Sequence, residues 1–138
     1  MTRSETWHAD LAAYIVSVGA RPFAWGTHDC AMFAAGAVQA MTGEDFAKPY
    51  RGRYKSLRGG LGLLKRKGFA THADLAASLF DEIHPSLARV GDLAAVPVDD
   101  AALIALGVVQ GERIFVLRPG QSGMGTVDLL SATRAFRI

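Results

Sequence analysis

The single cysteine of the chain, Cys30, ends the string Pro22-Phe23-Ala24-Trp25-Gly26-Thr27-His28-Asp29-Cys30 and directly precedes an apolar run, Ala31 to Val38. A thiol in the first turn of a buried helix is placed for nucleophilic chemistry, because the free amides and dipole of a helix N-terminus favour the thiolate. Such a nucleophile also needs a base, in most cases a histidine. Four histidines are present. His28, two residues before the thiol and just outside the helix, is the strongest candidate, against a plainer role bonding backbone at the turn. His8 on a first helix, His72 at the start of a fourth and His84 beside Pro85 read as surface or capping residues.

The neighbours of Cys30 carry two readings each. Asp29 caps the helix, a contribution of roughly 1 kcal/mol, and its charge opposes ionisation of the adjacent thiol. Trp25 either lines a substrate groove or fills core, with core preferred, and Gly26 allows close backbone approach. Arg51, Arg53 and Tyr54 form a concentrated polar patch. They pair with Asp29 or Glu44 and pin a loop over Cys30, or they grip a partner's carboxylate. Both options stay open.

Helices must position these groups. Trp7, Leu11, Tyr14, Ile15 and Val18 recur at helical spacing after Ser4 or Thr6, and Gly19 ends the run. A second helix runs from Cys30 to about Met41 and is closed by Thr42-Gly43. It is apolar almost all round and should be the central one. A glycine-weakened third helix spans 55–67, and Thr71 caps a fourth through Phe80. After Pro85 the chain turns to short β-branched and apolar runs at 93–96, 103–109, 113–117, 126–130 and 135–138. Asp99-Asp100 and Gly111-Glu112 are set as hairpin connections. The class expected is α+β, with N-terminal helices packed on one side of a C-terminal antiparallel meander, as a single domain over 1–138.

Composition narrows the function. Of 138 residues, 50% are hydrophobic and 20% charged, which suits one domain with a real core. A net charge of +2 gives no footprint for nucleic acid or anionic lipid, although the pI is near 8.9. One cysteine excludes a disulfide framework and a multi-cysteine zinc site. No apolar run approaches the ~20 residues of a membrane span, and the N-terminus lacks a secretory layout. No cofactor or metal is expected. The glycine-rich string 120–125 reads as a flexible loop, not a phosphate cradle.

Pro22-Phe23-Ala24-Trp25-Gly26 with Asp29-Cys30, and later Val90-Gly91-Asp92-Leu93, resemble the NlpC-type cell-wall cysteine peptidases of papain-like fold. Over nearly its full length the chain is also similar to small proteins of phages and prophages. The shared pieces are Pro22 to Cys30, Arg51 to Tyr54, Gly59 to Gly68, Gly91-Asp92, Ala105 to Val108 and Ala135 to Ile138. The resemblance implies Cys30 as the nucleophile-equivalent position. It also implies phage tail proteins and peptidoglycan peptides as partners, with synthesis in the host cytoplasm and residence in the virion tail. Matching Gly107 to the peptidase glycine puts Ala105 where those enzymes carry their base, and Val116, give or take one residue, where they orient it. Neither can move a proton. The expectation is therefore a degenerate papain-like fold serving as a structural or adaptor component at the tail tip. The alternative is an active peptidase or amidase with Cys30 attacking and His28, or a partner's histidine, as base.

Overall fold

The computed structural model describes residues 1–98, 104–119 and 123–138. Four helices come first, α1 Trp7–Val18, α2 Cys30–Thr42, α3 Leu57–Arg66 and α4 His72–Leu79. Six strands follow: β1 Asp81–Ile83, β2 Leu93–Pro97, β3 Ile104–Val109, β4 Arg113–Val116, β5 Gly125–Asp128 and β6 Arg134–Arg137. The class is α+β, as the composition shift along the chain predicts.

Local signals set the helix ends. Asp29, Ser56 and Thr71 each accept a bond from the backbone N–H three residues on and so start α2, α3 and α4. Gly43, at φ 82°, closes α2 in the left-handed conformation that a side chain disfavours. Thr6 precedes α1 without capping it; its hydroxyl bonds Asp10 instead.

The sheet is antiparallel throughout, in the order β1-β6-β2-β3-β4-β5. This corrects the simple meander. Strands β2 to β5 do follow one another, but β6 crosses back to pair with the far side of β2, and β1 pairs outside β6. The turn at Gly111-Glu112 joins β3 to β4 as expected, with Gln110 N–H bonded to Arg113 C=O. The predicted Asp99-Asp100 connection and part of the 120–125 loop lie outside the described residues.

Alternation along the strands divides the core. Leu93, Ala95, Leu106, Val108 and Phe136 face the helices and bury Phe33, Ala37, Val38 and Met41 of α2. Ala94, Val96, Val109, Ile114 and Val116 face the other way, under Ala88, Leu129 and Ala132. Helix α2 is thus the central one. Gly36 is needed there, because a Cβ would collide with the Tyr14 hydroxyl, which donates to Phe33 C=O at 2.8 Å. Arg134 ties α4 to the sheet by bonding Asp74 at 2.8 Å and Glu82 at 2.8 Å.

Candidate functional site

Three helices converge on one cavity, each with an i, i+3, i+4, i+7 stripe. From α2 come Ala31, Ala34, Ala35 and Val38; from α3, Leu57, Gly60, Leu61 and Leu64; from α4, His72, Leu75, Ala76 and Leu79. Phe46, Phe80, Leu93 and Leu106 complete a space of about 90 Å³, whose polar edge is Asp29, Cys30, Tyr50, Tyr54 and His72.

Cys30 is 4% exposed and its sulfur lies 3.9 Å from Nε2 of His72. Here the structure corrects the expectation that no imidazole faces the thiol. The sheet wall indeed offers none. Leu106, not Ala105, is the strand residue on the cavity, since Ala105 shares the opposite face with Gly107 and Val109. The imidazole that faces the thiol comes from α4 instead. A histidine leading the otherwise apolar stripe His72-Leu75-Ala76-Leu79 is the sequence signal that marks it.

His28 does not play that part. It is 2% exposed, its main chain bridges to Ala24, and no hydrogen bond joins it to Cys30; its Nε2 has no partner among the described residues. Burial and then Arg21 lower its pKa, so the ring is neutral.

The electrostatics describe a neutral pair. Burial pushes the Cys30 thiol up to about 12, and the Asp29 charge adds to this; hydrogen bonds from the backbone at Leu106, Ala31 and Cys30 pull the other way. Burial lowers the His72 pKa, an effect that the backbone of Ile104 on β3 and the charge of Asp29 offset in part. At neutral pH the pair is thiol and imidazole, an arrangement in which any attack by sulfur would require proton transfer at the same time. The helix N-terminus leaves its first amides free of intrahelical partners, and those of Cys30 and Ala31 act to lower the thiol pKa against the larger effect of burial.

Asp29 is both cap and brace. Its Oδ1 accepts from Met32 N–H at 2.9 Å, and its Oδ2 from Gly26 N–H at 2.9 Å and the Tyr54 hydroxyl at 2.5 Å. Gly26, at φ 84°, packs so closely on the Tyr54 carbonyl that a Cβ would overlap it. Tyr54 thereby pins its loop beside Cys30, one of the two options for the polar patch. Arg51 takes neither: it pairs bidentately with Asp45 at 2.7 and 2.9 Å. Arg53 is exposed and makes no ion pair among the described residues. Trp25 is half-buried, stacked edge-on with Phe23, and lines the cavity instead of filling core. Among the described residues no group of three or more His, Cys, Asp or Glu is placed to hold a metal, and no helix is long and apolar enough to cross a membrane.

Fold and site define an α+β domain with a buried Cys–His pair at the edge of an apolar cavity. A family model described as a domain of unknown function, DUF6950, matches residues 2–138, and the chain belongs to that family. Comparison with curated proteins and with solved structures finds no match.

Proposed function

We propose that the protein is a cysteine-dependent acyl hydrolase of the peptidase or amidase kind, with Cys30 as nucleophile and His72 as general base. The observation that carries this reading is the 3.9 Å approach of His72 Nε2 to Cys30 Sγ at the edge of a cavity. His72 takes the thiol proton as sulfur attacks a carbonyl carbon, then gives it to the leaving amine or alcohol. Such proton transfer is worth typically 10²–10⁴-fold. The resemblance to phage and prophage proteins supports a tail setting, with a cell-wall peptide as the bond cut.

A second reading keeps the same setting but removes the chemistry, leaving an adaptor among tail proteins. It is favoured by the thiol pKa of about 12, far from that of a resting thiolate. Alkylation of Cys30 by iodoacetamide at neutral pH separates the two. The hydrolase reading expects His72→Ala to slow modification more than tenfold and His28→Ala to leave it unchanged. Equal rates in wild type and His72→Ala, with reaction only at alkaline pH, would leave the adaptor.

A further inference from the structure

We infer that the cavity beside Cys30 is an acyl pocket for a short, uncharged aliphatic group of about four carbons, so that the bond attacked is an ester or amide of a small aliphatic acid or residue. This deepens the hydrolase reading and rests on it.

Three observations fix the substrate class. The sulfur is almost fully shielded from solvent yet lines the cavity, so a group reacting with it enters that space. The interior walls are mainly alanine, leucine, valine and phenylalanine, with Trp25 and Met32, and no Lys or Arg lines it among the described residues. The nearest charge is the buried Asp29 carboxylate, which repels an anionic substituent. Size sets the length: about 90 Å³ compares with about 150 Å³ for a cavity that takes up benzene, or about four carbons in proportion.

In the reaction the Cys30 S–H proton passes to His72 Nε2 as the Sγ–C bond forms. The tetrahedral adduct expels the alcohol or amine, which takes that proton from His72. Water then adds to the thioester carbon, giving a proton to His72. The C–S bond breaks, the free acid leaves, and the sulfur recovers its proton. No oxidant or further reactant is needed.

The test uses the full chain with p-nitrophenyl acetate, butyrate, octanoate and hydrogen succinate, following nitrophenolate release and the mass increase on Cys30, with Cys30→Ser as blank. Butyryl transfer is expected about tenfold faster than acetyl, from two more buried methylenes. Octanoyl, too long for the cavity, and succinyl, charged at its end, are expected to fall below butyryl. Ala35→Leu, which fills the cavity, should move the optimum to acetyl. A measurement free of the chemistry accompanies it: millimolar butyramide should raise the Tm of Cys30→Ser and succinamate should not. Equal acylation by all four esters, a preference for succinyl, or no shift with butyramide overturns the acyl pocket while the nucleophile stands. Absence of any acylation of Cys30 overturns the hydrolase reading, and the pocket's role with it.

Discussion

The hydroxyl of Tyr54 donates to Oδ2 of Asp29 across 2.5 Å, closing a three-donor shell around a carboxylate that is 2% exposed. A buried charge persists only when its lone pairs are met, so this tyrosine is structural support for the residue that caps the cysteine helix. Burial, followed by the Asp29 charge, raises the Tyr54 pKa, and the phenol stays a donor across the physiological range.

Tyr54→Phe removes that donor and leaves the ring. A hydrogen bond to a charged group contributes about 1.5–3 kcal/mol, and the variant should lose about that much in urea unfolding. Gly26 N–H and Met32 N–H remain on the carboxylate, which keeps the loss short of a fold-breaking one. An unchanged midpoint would mean that water replaces the phenol.

Asp29→Asn tests the charge separately from the cap. Asparagine still caps a helix, but the negative charge next to the sulfur is gone. The Cys30 pKa should drop from about 12 and remain above its ordinary value of 9.0, because burial is the larger cause and is unchanged. Ultraviolet titration of thiolate absorbance reads this directly. A rise, or no change, would show that Asp29 does not act on the thiol.

Stability should be flat between two pH limits. His72 and His28 both have lowered pKa values. The unfolded chain therefore binds protons first as pH falls through about 6.5, and stability declines below that point. Cys30 has a raised pKa, so its share of stability is whole below pH 9.0 and is lost as pH climbs towards about 12. Tyr14, raised from 10.0 to about 12 by burial, adds a second alkaline loss. Cys30→Ser should remove the part that begins near 9.0 and leave the tyrosine part. His72→Gln should shallow the acid limb. Denaturation midpoints measured across this range check both limbs.

What the sequence made legible was local. Asp29, Ser56 and Thr71 mark helix starts because a cap acts within three residues, and Leu93 to Val96 reads as strand because its apolar run is continuous. Strand β1 was not legible: Asp81-Glu82-Ile83 is short and largely exposed, and it exists through its pairing with Arg137, Phe136 and Ala135. The site divides the same way. Cys30 and Asp29 announce themselves, and Tyr54 stood among the candidates to reach Asp29. His72, however, becomes a partner of the thiol only when α4 folds against α2 and β3, with a sequence separation of 42 positions between the pair. The peptidase pattern around the strand glycine points to the sheet, whereas the imidazole comes from a helix.

The turn at Gly91-Asp92 is a clamp, and its energetics are separable. Asp92 is 2% exposed and accepts from Arg3 Nη2 at 2.9 Å, from Arg89 N–H at 2.9 Å and from Ile138 N–H at 3.1 Å, so one carboxylate joins residues near both ends of the chain to the entry of β2. Arg3 also bonds the carbonyls of Val90 and Ile138 and lies 4.2 Å from the Trp7 ring centroid. Removing one partner of a fully buried pair costs about 3–5 kcal/mol. Arg3 is partly in water and two backbone donors stay on Asp92, so Arg3→Met should cost less, about 2–3 kcal/mol. Asp92→Asn leaves Arg3 with its two carbonyls and should cost a similar amount. The double variant should fall short of the sum by about 1–2 kcal/mol, the coupling expected of groups in direct contact. Chemical denaturation of the four proteins gives that coupling; strict additivity would show that Arg3 is held by the carbonyls and Trp7 alone and that the ion pair contributes nothing.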